Sequence, residues 1–308
     1  MSSKRIMVVG SANMDVVLRL AKQLREGECV MAHSQDVFPG GKGANRAVAL
    51  ARLGENPIFS CCIGNDYFAH ILFELFESEN IDTSQVFRLD NAGTGAAYIM
   101  LDNKGNNRIA VYPGANDLFR DKYIDTAKKS LSCASFLTLE LEIPLESVER
   151  LNFAAQKACV PVVIDAGPIR MKTDKSIFKG AFLLSPNQSE AEALTGIKIK
   201  TENDIKEACK ELYSFGVKYA HIKLGAKGSV CYDGKDFIFC KAFETGLPVV
   251  DTTAAGDSYM AAFCSALSRG SGIEKSMRFA SVAAGISVTR LGAIPSLPNI
   301  AEIKERLN

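Results

Sequence analysis

The chain has 308 residues, 47% of them hydrophobic and 23% charged, which is enough for one large globular domain or two smaller ones. A formal net charge of +1 leaves no electrostatic footprint for nucleic acid or a membrane surface. No apolar run reaches the roughly 18 residues a spanning helix needs, and Met1-Ser2-Ser3-Lys4-Arg5 lacks the pattern of a signal peptide.

Nine cysteines are scattered without any C-x-x-C, and His33, His70 and His221 stand apart from one another. That spacing argues against a structural zinc site and for reduced thiols in a cytoplasmic protein.

In chain order, Ile6-Met7-Val8-Val9 reads as a buried strand running into Gly10-Ser11-Ala12-Asn13-Met14-Asp15. Asn13 and Asp15 either shape a turn or bond the hydroxyls of a small polar ligand past the strand's carboxyl end. Val16 to Leu20 and Cys29 to Val37 suggest two strands outside the main sheet. Gly40-Gly41-Lys42-Gly43-Ala44-Asn45 then opens a helix that Gly54 ends. Its glycines allow close approach to a ligand or tight helix–strand packing. The spacing G-x-x-x-x-G-K-[ST] of a P-loop is absent.

Pro57 to Ile63 reads as a strand and Asp66 to Glu79 as an amphipathic helix. Ala96 to Asp102 and Arg108 to Tyr112 flank Asn103-Lys104-Gly105-Asn106, a hairpin signal. The domain division expected is a larger α/β unit, residues 1–15, 38–94 and 113–308, and a small antiparallel sheet, residues 16–37 and 95–112.

From Pro113 onward strands and helices alternate, which predicts a mostly parallel sheet covered on both faces. Helices are expected at Asp121–Ser130, from Pro144 as first helical residue, from about Ser189, and at Asp204–Phe215. Strands are expected at Phe136–Leu141, Val160–Asp165, Ala181–Ser185 and Tyr219–Lys223, with a hairpin at Ser229–Cys240. Glu142 follows one strand end and Asn187 another. Ser189 and Glu192 fit a capping box, which would free Asn187 and Glu190 to hold water around Mg²⁺ near a nucleotide. Lys223-Leu224-Gly225-Ala226-Lys227-Gly228 is a second glycine turn after a strand.

Asp251-Thr252-Thr253-Ala254-Ala255-Gly256-Asp257 precedes a helical pattern, Ser258 to Ser268. A helix N-terminus built of small residues accepts a bulky anion. Asp257 there is either an ordinary acidic first turn or a base taking a proton from a hydroxyl that attacks a phosphate. A further helix is expected at Ile273–Thr289. Arg290-Leu291-Gly292-Ala293-Ile294-Pro295-Ser296 follows it, a loop rich in carbonyls that together with Asp251 and Thr253 suits a bare monovalent cation.

Taken together, the chain resembles the ribokinase family of sugar kinases, also called the PfkB family, over essentially its whole length. Gly40–Asn45 is similar to the family's first signature, Asp251–Asp257 to its second, and Asn187-x-x-Glu190 to its N-x-x-E motif. Gly10–Asp15, the segment around Glu142 and Val288–Ala293 resemble the ribose-specific members.

The resemblance implies a ribokinase-like three-layer α/β sandwich with a β-sheet lid that covers substrate and pairs two copies into a homodimer. It implies ATP-dependent phosphorylation of D-ribose at O5, giving D-ribose 5-phosphate and ADP. Asp257 would be the catalytic base, with backbone N–H groups of Ala254, Ala255, Gly256 and Asp257 stabilising charge on the phosphate. Asn13, Met14, Asp15, Gly41, Lys42, Gly43, Ala44, Asn45 and Glu142 would line the sugar site. Asn187, Lys223, Leu224, Gly225, Ala226, Lys227, Gly228, Gly256, Asp257 and Ser281 would line the ATP site. Glu190 would position hydrated Mg²⁺. Asp251, Thr253, Ser287, Arg290, Gly292 and Ser296 would build a K⁺ site. Three positions depart from the family pattern: Ala254 stands for Gly, Lys223 for the frequent Thr, and Ser281 for a larger residue. Two alternatives stay open, another kinase of the family such as one preferring 2-deoxyribose, and a catalytically silent sugar-binding protein.

Overall fold

A computed structural model describes residues 4–169 and 173–307; residues 1–3, 170–172 and 308, all within the expected larger unit, lie outside the described residues. The larger sheet contains β1 (Arg5–Val9), β4 (Ile58–Gly64), β5 (Asp82–Leu89), β8 (Ala134–Leu139), β9 (Val162–Ile164), β10 (Leu183–Leu184), β11 (Tyr219–Lys223), β12 (Ser229–Tyr232) and β13 (Phe237–Cys240). Among the described residues it has nine strands in the order β13-β12-β11-β10-β9-β8-β1-β4-β5. Every pairing from β5 to β11 is parallel, and only the β11–β12–β13 edge is antiparallel. The carboxyl ends of the parallel strands therefore share one edge, where ligands bind in sheets of this kind.

Alternation along β1 separates two cores. Met7 and Val9 face one layer of helices: α3 (Lys122–Ser130), α4 (Leu145–Lys157), α5 (Gln188–Thr195) and α6 (Glu202–Ser214). Ile6 and Val8 face the other: α1 (Lys42–Arg52), α2 (Tyr67–Ser78), α7 (Ala255–Ser268), α8 (Ile273–Ser287) and α9 (Ile300–Leu307). A strand's period of two produces this division, and burying both faces excludes water from the parallel ladders. The edge strand β5 and the helix α9 were not foreseen. Pro144 stands one place before α4 rather than inside it, because its ψ of 133° is extended.

A second sheet is built from β2 (Asn13–Leu20), β3 (Ala32–Gly40), β6 (Gly95–Asp102) and β7 (Asn107–Tyr112), in the order β3-β2-β6-β7. The expected strands are present, but the sheet is mixed rather than antiparallel. The two hairpin pairings are antiparallel and the central β2–β6 pairing is parallel. Both central strands leave the carboxyl edge of the larger sheet in the same direction, so side by side they run parallel. Asn13 and Asp15 lie in β2 itself, not in a turn before it.

Two glycines fix how α1 meets β1. Gly41 holds φ +90°, a backbone conformation costly for other residues. A methyl group on Gly43 would lie 2.6 Å from the Gly10 carbonyl carbon and the Ser11 oxygen. The packing role is thus visible for Gly43, and Ala44 N–H bonds Ser11 O at 2.9 Å across the same contact.

Candidate active site

Six chain segments meet at the carboxyl edge. The β1–β2 turn brings Ser11, and the start of β2 brings Asn13 and Asp15. The end of β8 brings Glu140 and Glu142, that of β9 Asp165, and that of β11 Lys223. Lys42, Asn45 and Arg46 occupy one face of the first turns of α1, at the i, i+3, i+4 spacing that stacks side chains. Asp257 comes from the first turn of α7.

Asp257 is 4% exposed. Its Oδ2 accepts from Asn45 Nδ2 at 2.9 Å. Its Oδ1 has no hydrogen-bond partner, and an Arg46 nitrogen stands 3.5 Å away. An acceptor oxygen left open in a buried position can take a proton from a ligand hydroxyl.

No side chain caps α7, whose first residue follows Ala254 at φ 59°. An alanine in this left-handed region costs about 1 kcal/mol, so the departure from glycine carries a strain. The N–H of Ala255 bonds Thr252 O at 3.2 Å. Of the four expected phosphate donors, that one is therefore already engaged.

Carboxylates crowd the other side. Asn116 Nδ2 holds Asn13 Oδ1 at 2.7 Å, and Asn13 Nδ2 reaches Glu142 Oε2 at 3.3 Å. Ser11 Oγ and Lys42 N–H also donate to Glu142. Burial, then Glu142 and Asp257, push the Asp15 carboxyl up to about 7. Burial, then Glu142, raises fully buried Glu140, which accepts from the N–H groups of Ser11 and Glu142.

Asp165 is the hub of the positive side. Lys223 Nζ lies 2.6 Å from its Oδ1, and Arg46 and Lys42 nitrogens lie 3.1 and 3.5 Å from its Oδ2. Burial alone would raise this carboxyl, but Lys223, Lys42 and Arg46 together hold it well below the usual range. Burial would likewise lower the Lys42 ammonium, yet Asp165, Asp257, Glu142 and Glu190 raise it on balance. The Lys42 ammonium and the Arg46 guanidinium are thus kept charged at the edge.

The sequence reading missed Asp165, Arg46, Glu140 and Asn116. The signals were present: Asp165 and Glu140 follow buried strands, as Glu142 does, and Arg46 interrupts the apolar face of α1 between Ala44 and Ala47.

A further sequence expectation is overturned at this edge. Asn187 and Glu190 themselves form the capping box of α5: Glu190 N–H donates to Asn187 Oδ1 at 2.9 Å and Asn187 N–H to Glu190 Oε2 at 2.7 Å. The helix begins at Gln188, so Ser189 lies inside its first turn instead of capping it. Glu192 accepts from Gln188 and Ile199 and pairs with Lys198. One Glu190 oxygen thus serves the cap. Burial and then Asp165 push this carboxyl up, while Lys223 and Lys42 work the other way.

Elsewhere on the edge, Leu224 to Gly228 form a tight turn, with Gly225 and Gly228 at φ +59° and +92°. Ser281 Oγ accepts from Phe243 N at 2.9 Å and donates to Lys241 O at 3.1 Å, so its hydroxyl ties down the loop after β13.

The proposed cation residues also converge. Asp251 Oδ1 accepts both Thr253 N–H and Thr253 Oγ1, and Gly292 N–H bonds its Oδ2 at 2.9 Å. Burial raises the Asp251 carboxyl, but these bonds lower it on balance, so it stays ionised. Ser287 and Ser296 hydroxyls lie 2.9 Å apart. Arg290 pairs its guanidinium with Glu302, leaving only its backbone for the loop.

The model of the pfkB family of carbohydrate kinases matches residues 3–300. This chain belongs to that family. Among relatives of this carbohydrate kinase, a ribokinase from Haemophilus influenzae is 33% identical over 99% of this chain and 98% of its own. A deoxyribokinase of Salmonella typhi is 29% identical, with 98% of each chain covered. The structure of Arabidopsis thaliana ribokinase complexed with ribose and ATP superposes with a TM-score of 0.92 at 32% identity, covering 99% of each chain. The described helices include none long and apolar enough to cross a membrane.

Proposed function

We propose that this kinase transfers the γ-phosphate of ATP to O5 of D-ribose. The observation that carries the reading is Asp257, whose free Oδ1 sits at the uncapped start of α7, opposite the hydroxyl-binding set Asn13, Asp15 and Glu142. Sugar held by that set presents its primary hydroxyl to Asp257. The carboxylate takes the proton while N–H groups at the α7 terminus and Lys42 stabilise charge on the phosphoryl oxygens. Met14, Gly41, Gly43, Ala44 and Asn45 shape the sugar side. The turn Leu224–Gly228 and Asn187 flank the nucleotide.

Glu190 keeps one oxygen outside the cap, which suits a water-mediated contact to Mg²⁺. Bound Mg²⁺ supplies charge neutralisation at the phosphates. Around Asp251 the donors are all oxygen and carry a single carboxylate, a set that fits K⁺ better than a divalent ion. The small sheet would act as a lid that excludes water from the transfer. Ile109 and Val111, which share one face of it, are exposed apolar groups that suit pairing with the lid of a second copy.

The test is ADP release with ribose, 2-deoxyribose, fructose and adenosine, each with Mg²⁺ and with K⁺ or Na⁺. Ribose-dependent turnover raised by K⁺ is expected. A preference for 2-deoxyribose would move the protein toward the deoxyribokinases and overturn the reading of Asn13 and Asp15. No turnover on any sugar would bring forward a silent binding protein.

Asp15 gives a pH dependence. As a carboxylate it accepts a sugar hydroxyl; protonated, it loses an acceptor. The KM for ribose is expected to fall as pH rises from about 6 to about 8, and Asp15→Asn to raise KM and flatten the profile. Stability moves the opposite way. The folded carboxyl sits at about 7 against an ordinary 3.8, so the folded state holds its proton longer. Stability therefore falls as pH climbs through that window, and melting without sugar should show a decline that Asp15→Asn reduces. A pH-independent KM in the parent protein would remove Asp15 from the sugar site.

A further inference from the structure

Lys223 closes β11 at the position where the sequence departs from the frequent Thr. Its N–H bonds Pro186 O at 3.0 Å, which fixes the end of β11 against the start of α5. Its side chain is 13% exposed and runs to Asp165. A methyl group on Gly256 would lie 3.8 Å from the Lys223 ammonium. The charged end of a β11 residue is therefore beside the first turn of α7, where the helix start and Asp257 converge.

An ammonium has three donors. Asp165 takes one at 2.6 Å, and no other described residue makes a hydrogen bond with Nζ. Lys42, on the far oxygen of Asp165 at 3.5 Å, is similarly undercommitted. One fully buried carboxylate thus holds two lysines and Arg46. Arg46 also reaches Asp257 at 3.5 Å and Glu190 also acts on Lys42 and Lys223, so several carboxylates share the three cations, but the Lys223 ammonium keeps donor N–H groups to spare beside the helix start.

We propose that the Lys223 side chain binds the transferring phosphoryl group directly, and that Asp165 is the positioning residue holding Lys223 and Lys42 on either side of it. The inference rests on the kinase reading above and adds to it a side-chain cation and the residue that orients it.

The rival is that Lys223 only neutralises buried Asp165. The double variant Asp165→Asn/Lys223→Thr separates the two, because it removes the charge and its neutraliser together. ATP and adenosine are titrated calorimetrically, without sugar, into the parent protein, Lys223→Met and the double variant, with thermal melting as a check on folding.

Lys223→Met is expected to weaken ATP binding at least ~10-fold and adenosine binding less than ~2-fold, the contrast of a lost charge-assisted phosphate contact. At saturating ATP and sugar its kcat should fall about 100-fold, the scale of a lost transition-state donor. The double variant should stay as weak for ATP as the single. Parent-like ATP affinity in the double variant, or equal loss for adenosine and ATP, overturns the proposal. The titrations need no sugar, so failure of the ribose reading leaves them decisive: the sugar panel would then be silent while the ATP contrast persists.

Discussion

Asp257→Asn is expected to bind ribose and to turn it over at least ~100-fold more slowly, the usual scale for a lost general base. The amide can still accept from Asn45 Nδ2, which holds the side chain at 2.9 Å, so the geometry should survive. What disappears is the open, buried Oδ1 that can take a hydroxyl proton. Sugar affinity measured by calorimetry and initial rates of ADP release check the two halves separately. Near-normal turnover would mean that the proton leaves by another route, and Asp257 would revert to an acidic first turn.

Arg46→Met is expected to cost about 3–5 kcal/mol of stability in urea unfolding, the range for removing one partner of a buried ion pair. Arg46 is fully buried, with one nitrogen on Leu139 O at 3.2 Å and the other on Asp165 at 3.1 Å. Removing it leaves Leu139 O with only the Asp165 N–H as donor and shifts the burden of Asp165 onto Lys42 and Lys223, both pulled inward from the phosphate side. Activity should therefore fall along with stability. Arg46→Lys should not restore either, because an ammonium cannot span both acceptors as the guanidinium fork does. A loss under about 1 kcal/mol would show that the two lysines alone sustain Asp165.

These two residues mark the boundary of what the sequence disclosed. The place of Asp257 in the first turn of a helix was legible because the signal is local: small residues, a helix start and a carboxylate within one turn. The alternation of strands and helices, the two glycine turns and the inserted hairpins were legible for the same reason, since backbone periodicity and turn preferences act over a few residues. Asn187 and Glu190 were recognised as a pair, but their spacing fits both a cap and a metal contact. Only the helix start at Gln188 shows that the cap is made.

Arg46, Asp165, Glu140 and Lys223 depend on contacts across 58 to 129 positions of chain, such as Lys223 to Asp165 and Glu140 to Ser11. No local pattern encodes which buried charge will meet which. The parallel sheet decides it, by bringing the carboxyl ends of β1, β8, β9 and β11 to one edge and setting the N-termini of α1 and α7 against them. The same edge decides that the small sheet is mixed, because both its central strands leave in one direction. Sequence alone determined the elements and the residue types able to do phosphoryl chemistry. Tertiary structure decided which carboxylate is open, which is neutralised and which cations remain free, because charges in a buried site take their state from neighbours that the chain brings together only on folding.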